Sequence, residues 1–221
     1  MGGFRNDDLN MLFVRGVIDT IVAHLIKCSQ KMRSDCVQNS NPLRNHEDKI
    51  TNRLVAKYLN AEPNGFHYER ESPENFDEET DTYIGRTDIK VLPWSHFCGS
   101  EAYFVIECKR VDGSYALNRL YITEGVARFV EFPLKYPSYY NLNIMFGYIV
   151  KSIDIVENAS KIDALQRCQL TGVSASAFVK LESENSRYFL FTCEYFTENT
   201  NRIELLHLFY DFADVMEKEQ A

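Results

Sequence analysis

Residues 103–110, YFVIECKR, are apolar at their first four positions and then turn charged. An extended chain alternates sides at every residue, so Tyr103, Val105, Glu107 and Lys109 share one face while Phe104, Ile106 and Cys108 share the other. A strand apolar on both faces is a central strand covered on both sides, and that points to a layered α/β domain. Its charged end then emerges at the edge of a core. Burying a charge without a partner costs several kcal/mol, so Glu107 and Lys109 at that end call for a functional explanation.

The rest of the chain supplies covering elements. Residues 8–32 carry Leu9, Leu12, Phe13, Val17, Ile21 and Leu25 at three- and four-residue spacing, a long amphipathic helix that residues 34–43 bring to an end. This helix can cover a sheet face or pair with a copy of itself. A second helix is expected over 45–60, with Asn45 as its N-cap and Glu47 on the same face as Ile50, Leu54 and Tyr58. His46 falls off that face and reads as a surface residue. A short strand follows at 66–70, and the acidic run 71–81 reads as a solvated loop. The next strand is expected over 83–92, with Asp88, Lys90 and Leu92 on one face. Trp94, Phe97 and Gly99 in the loop after it read as packing residues.

A third helix over 117–132 ends at Pro133, and 143–150, NIMFGYIV, is again apolar on both faces. A helix over 154–168, a hairpin of 175–181 with 187–196 turning at 182–186, and a strand at 203–209 complete the chain. His207 on that strand reads as a satisfied sheet histidine. The expected fold class is α/β, a mixed central sheet flanked by helices, in a single domain over 1–221. Within it, 1–42 is an N-terminal helical extension, 43–151 the core, and 152–221 the C-terminal completion of the fold.

With 32 acidic against 24 basic residues the formal charge is −8, which speaks against a generic nucleic-acid coat, since non-specific affinity comes from lysine and arginine. It does not exclude a nuclease, whose metal-binding carboxylates are themselves negative. The six cysteines show no CxxC pair and no zinc-ligand spacing with the histidines. They read as reduced thiols. No run approaches the length needed to span a bilayer and the start lacks the pattern of a signal peptide, so the expectation is a soluble cytoplasmic protein with no membrane partner.

If the strands bearing Asp88 and Glu107 are neighbours, the two carboxylates meet at one end of the sheet beside the backbone carbonyl of Cys108. Two carboxylates and a carbonyl form a hard oxygen site suited to Mg²⁺, or Mn²⁺, with waters retained. Lys109, on the face of Glu107, can reach a metal-bound water, and Glu47 can ligate a second metal or hold such a water. A metal that polarises a phosphate, with a lysine that orients the attacking water, is sufficient for phosphodiester hydrolysis. Arg86, Arg110, Arg119 and Arg128 lie near the site in sequence and are candidates for phosphate contacts.

Asp88, then Glu107-Cys108-Lys109 closing an apolar strand after a helix bearing Glu47, resembles the PD-(D/E)XK nuclease superfamily. The resemblance spans 45–150, about half the chain, and implies the restriction-endonuclease-like core order of helix, three strands, helix, strand. Thr87 stands where the motif's name has proline. It also implies a metal-dependent nuclease acting on DNA, with Asp88, Glu107, Lys109 and Glu47 as its catalytic set; the first helix is a candidate for a homodimer contact, which the sequence does not decide.

The tripeptide pattern alone is weak, because Glu47-Asp48-Lys49 and Asp88-Ile89-Lys90 also fit it. The first opens a helix, where residues two apart face different ways. The second could pair with an acid of 69–81. Other readings are an ion-pair cluster at a sheet edge, and an inactive protein of the nuclease fold acting as a protein-interaction module. A small-molecule enzyme finds little support, with no Gly-rich phosphate loop or nucleophile elbow in the chain.

Overall fold

The computed structural model describes residues 7–218 apart from 63, 78–81, 94–102, 137–140, 182–185 and 198–201. Trp94, Phe97, Gly99 and most of the turn at 182–186 therefore lie outside the described residues, as do the last positions of the acidic run. Helix α1 (Asp7–Gln38) and helix α2 (Glu47–Leu54), which runs on into a π-helical turn (Val55–Leu59), precede strand β1 (Phe66–Arg70). Strands β2 (Pro73–Asp77), β3 (Thr82–Arg86), β4 (Ile89–Pro93) and β5 (Phe104–Val111) follow. Helix α3 (Tyr115–Tyr121), a second π-helical turn (Ile122–Val126) and α4 (Ala127–Val130) form one interrupted helix before β6 (Leu142–Ile149). Helix α5 (Ile155–Gln169), short strands β7 (Val173–Ala175) and β8 (Val179–Leu181), and long strands β9 (Tyr188–Thr197) and β10 (Arg202–Asp211) complete the sheet and its cover.

The central sheet has the order β1-β4-β5-β6-β10-β9-β7, with β8 also on β9. Strands β5, β6 and β10 run parallel at its centre, and the outer strands are antiparallel. It is thus a mixed sheet. Both central strands are buried along almost their whole length, and alternate residues feed two separate cores. Ile106, Cys108, Ile144, Phe146 and Leu208 pack with Ile18, Leu25, Ile50 and Leu54 of α1 and α2. Val105, Met145, Leu205 and Phe209 pack with Tyr121, Phe129 and Ile162 beneath α3 to α5. Helices therefore cover both faces, as strands without a polar face require.

Helix α1 covers a sheet face. Ile18, Ile21, Leu25 and Met32 are fully buried in the same core as the strands, so α1 is part of that core. Leu12 and Phe13 stay exposed. The helix also persists through 34–38, beyond the expected end. Among the described residues no helix is long and apolar enough to cross a membrane.

Several elements differ from expectation. The acidic run is not a loop: Pro73–Asp77 pairs antiparallel with Thr82–Arg86, Glu74 opposite Gly85. Within it the charge of Glu74 is met by the fold, since Glu74 lies 2.9 Å from Lys90 Nζ and accepts the Tyr103 hydroxyl at 2.6 Å. The single strand expected over 83–92 is two. At the break, Thr87 N–H donates to the Ser72 carbonyl at 3.0 Å and the Asp88 side chain accepts Cys108 N–H at 2.8 Å. The chain thereby passes from the β2–β3 hairpin into the main sheet. The N-cap of α2 is His46, not Asn45, because the Asn45 carbonyl and side-chain oxygen both accept from Arg110, at 2.9 and 3.0 Å. The strand expected over 175–181 is likewise two, β7 and β8, each paired with β9.

His207 is a satisfied core histidine. Nδ1 lies 3.0 Å from the Tyr121 hydroxyl and Nε2 3.1 Å from that of Tyr195, which donates to Gln166 Oε1 at 2.8 Å. Tyr195 has spent its proton on Gln166, so Nε2–H donates to Tyr195 and Nδ1 accepts from Tyr121. Burial holds this imidazole neutral, its pKa lowered to about 3.

Candidate active site

Pairing of β4 with β5 sets Ile89 opposite Ile106, which brings Asp88, just ahead of β4, beside Glu107. Glu107 is fully buried and Lys109, two residues along the same face, is nearly so. Lys109 Nζ lies 2.7 Å from Glu107 Oε1, 3.0 Å from Glu47 Oε1 and 3.8 Å from Asp88 Oδ2, and donates to the Cys108 carbonyl at 2.9 Å. Glu47 arrives from the first turn of α2, held there because its second oxygen accepts Arg110 N–H at 3.1 Å. The structure thus gathers Glu47, Asp88, Glu107 and the Cys108 carbonyl around one ammonium. Asp88 and Glu107 can be no farther apart than their two distances to Nζ combined.

The electrostatics follow from burial. Desolvation pushes the Glu107 carboxyl up to about 7; Lys109 pulls it down, Asp88 pushes it further up and Arg128 opposes. Burial alone would lower the Lys109 pKa, but the carboxylates of Glu107, Asp88 and Glu47 outweigh it and raise it, so the lysine is a fixed cation. Cys108 points to the opposite face of β5, where complete burial pushes its thiol well up and leaves it an inert core residue.

The arginines divide. Arg128 lies 3.1 Å from Glu107 Oε1 and donates to the Tyr136 hydroxyl at 2.6 Å, while its buried Nε has no partner. Arg110 clamps Asn45. Arg110 and Arg128 line a cleft of about 380 Å³ with His46, Glu47, Asp48, Lys109, Leu117, Leu120 and Glu124. Arg86 instead turns outward to Glu71 at 3.3 Å, and Arg119 reaches Gln169 at 3.3 Å on the far side of its helix. Neither guanidinium lines the cleft. Lys90, the lysine of the competing tripeptide, pairs with Glu74 and lies over the Tyr103 ring, 3.9 Å from its centroid. It takes no part in the Lys109 cluster.

Tyr136 is the member that sequence reasoning missed. Its hydroxyl is 2.8 Å from Glu107 Oε2 and 2.7 Å from the Arg86 carbonyl, and its single proton serves one of them at a time. The tyrosine lies in a proline-punctuated connection, and only its place between two prolines distinguishes it in sequence. Gly125 also belongs to the site. A Cβ there would sit 2.6 Å from Met145 Cε and 3.4 Å from Lys109 Cγ, so the bare backbone lets the π-helical turn close over the lysine.

Among the described residues no three His, Cys, Asp or Glu side chains form a preformed metal-binding group. The acids here converge on an ammonium instead. Their chemistry nonetheless suits a hard cation, for every group around Nζ presents oxygen and the central position already holds positive charge. A metal placed there requires Nζ to swing aside. No protein-family model, no curated protein and no solved structure matches this chain.

Proposed function

We propose that the chain is a metal-dependent nuclease of restriction-endonuclease-like architecture that hydrolyses phosphodiester bonds, with DNA as the substrate. The observation that carries this reading is the convergence of Glu47, Asp88, Glu107 and the Cys108 carbonyl on Lys109 Nζ, beside an open cleft. The order α2, β1, β4, β5, the α3–α4 helix and β6, with β5 and β6 parallel, supports it. The β2–β3 hairpin is then an insertion between the first two strands of that core.

Asp88, Glu107 and the Cys108 carbonyl would hold Mg²⁺ or Mn²⁺, with Glu47 at its margin. Bound there, the ion supplies Lewis-acid polarisation of the phosphate and a more acidic water. Lys109, released from the carboxylates, donates to the attacking water or to the negative charge developing on the phosphate. Arg128, whose partly exposed side chain lines the cleft, orients a phosphate oxygen. Tyr136 fixes the Glu107 carboxylate from behind.

A second reading rests on the same lysine. With Nζ already satisfied by Glu47, Glu107 and the Cys108 carbonyl, the cluster can be a closed ion pair in a catalytically inactive protein that works as an interaction module. Cleavage of plasmid and single-stranded DNA and of RNA with Mg²⁺ or Mn²⁺ separates the two. The nuclease reading expects metal-dependent cleavage by the wild type and its loss in Asp88→Ala and Lys109→Ala. No cleavage of any form, or full activity in both variants, refutes it.

A further inference from the structure

The outer side of α2 and of the π-helical turn after it carries a line of polar side chains, three of which, Lys49, Arg53 and Lys57, are cations that do not line the cleft. His46, Lys49, Arg53 and Lys57 follow one another at spacings of three, four and four residues, the pattern of a single helix face. The neighbouring side of the helix, with Ile50, Thr51 and Leu54, is buried. Two adjoining cavities, of about 400 and 340 Å³, run beside this line and share Asn41 and Arg53. Lys31 and Lys57 line one, Arg44 and Lys49 the other. His46 lines the active-site cleft itself, so the line begins at the mouth of that cleft.

The charges are also available. Among the described residues no carboxylate pairs with Arg44, Lys49 or Lys57, and Arg53 bonds only to the Asn41 oxygens and Cys36 sulfur. Each cavity has one acid in its lining: Asp35, which accepts the Tyr58 hydroxyl at 3.0 Å, and Glu217. Lys31 lies 3.9 Å from Glu62, a loose exposed pair.

We propose that the Lys31, Arg44, Lys49, Arg53 and Lys57 strip binds the phosphodiester backbone of nucleic acid that leads into the cleft past His46. This proposal rests on the nuclease reading for its orientation. At 1.5 Å per residue the strip from His46 to Lys57 is roughly 16 Å long. That corresponds to on the order of five phosphates at the 3.4 Å axial spacing of one strand. It has no groove-reading element, so the contact is to phosphate and carries no base sequence.

The test measures binding of short labelled single-stranded and duplex DNA without divalent metal, over a series of salt concentrations. It compares wild type, Lys49→Glu/Lys57→Glu, and the charge-matched control Lys161→Glu/Lys180→Glu on α5 and β8. All four positions are exposed, and Arg53 is left in place because it tethers Asn41. Circular dichroism checks that each variant is folded. The strip expects the first variant to weaken binding about tenfold at low salt. It also expects a log–log salt slope shallower by roughly 1.4 on single strands or 1.8 on duplex, from two lost phosphate contacts. The control retains both affinity and slope.

Equal weakening in both variants, unchanged binding in the first, or no binding by wild type overturns the strip. Cleavage assays decide the nuclease reading separately. Binding that depends on Lys49 and Lys57 in a protein that never cleaves leaves the strip standing and removes the catalytic assignment.

Discussion

Replacing Lys109 by methionine keeps most of the aliphatic stem and removes the charge at the centre of the acidic cluster. Glu107 is fully buried with Oε1 at 2.7 Å from that charge. Removing one partner of a buried ion pair typically costs about 3–5 kcal/mol, because the other charge stays buried. Two features place this case at the lower end. Arg128 remains 3.1 Å from Oε1 and the Tyr136 hydroxyl 2.8 Å from Oε2, and a carboxyl already pushed up to about 7 can take up a proton. The expected loss is therefore about 3 kcal/mol well above neutral pH. It shrinks as the pH falls below neutrality, since a neutral Glu107 no longer needs the ammonium.

Adding Glu107→Gln removes the stranded charge, so with Glu107→Gln alone costing about 0.5 kcal/mol, Glu107→Gln/Lys109→Met should recover to within about 1.5 kcal/mol of wild type, a coupling of about 2 kcal/mol. Equilibrium urea unfolding of the four proteins at alkaline and mildly acidic pH gives each quantity. A Lys109→Met loss under about 0.5 kcal/mol at alkaline pH, a loss that ignores pH, or additive single variants would refute the buried-pair argument.

Further expectations concern the core and the rim of the site. His207 has a folded pKa lowered from 6.5 to about 3, so the unfolded chain binds the extra proton between those values. Stability from this residue rises with pH across that window by up to about 1.4 kcal/mol per unit and is lost as pH falls. Glu107 acts in the opposite direction between 4.5 and about 7, where the folded state holds the proton. Urea midpoints against pH should accordingly steepen in Glu107→Gln and flatten in His207→Gln; identical profiles in all three proteins would exclude both assignments. Gly147→Ala places a Cβ 2.4 Å from Phe209 Cδ1 inside a packed sheet, and should cost about 1–3 kcal/mol in thermal or urea unfolding. Gly85→Ala meets the Lys135 carbonyl at 2.5 Å, a backbone atom that cannot rotate away, and should lower metal-dependent cleavage by displacing the segment that holds Tyr136. Tyr136→Phe leaves Glu107 Oε2 without its donor and should cost about 1–3 kcal/mol, read by the same unfolding assay.

The parts legible in sequence were those that needed only local pattern. Strands β5 and β6 follow from apolar residues on both parities, and α1, α2 and α5 from helical spacing. The parity of β5 alone puts Glu107 and Lys109 on one face. What escaped depends on neighbours distant in sequence. Strand β2 reads as a solvated loop until Lys90 and Tyr103 meet Glu74. Tyr136 has no pattern of its own and gains meaning only when its connection folds back across Arg86 and Glu107. The cations along α2 carry no signal of their own, because helical spacing is marked by the apolar side and not by the polar one. Most consequentially, the position of Lys109 Nζ depends on α2, β4 and β5 together, so no stretch of sequence reveals that the lysine fills the space between the acids.

That closure is also what divides the two functional readings, and it can be turned into a decision. Buried ion clusters are often replaceable by well-packed uncharged residues at little cost in stability, so folding gives no reason of its own for gathering three carboxylates and two cations at one strand end. A cluster kept for packing alone also has no need to border an open cleft with Arg110 and an Arg128 whose Nε is unpartnered. The variant Glu107→Gln/Lys109→Met therefore bears on function as well as on stability. If it folds as firmly as the wild type, binds DNA as well and has lost metal-dependent cleavage, the charges serve chemistry. If neither protein cleaves DNA and the variant alone loses stability, the cluster is architecture, and the cleft must be explained without it.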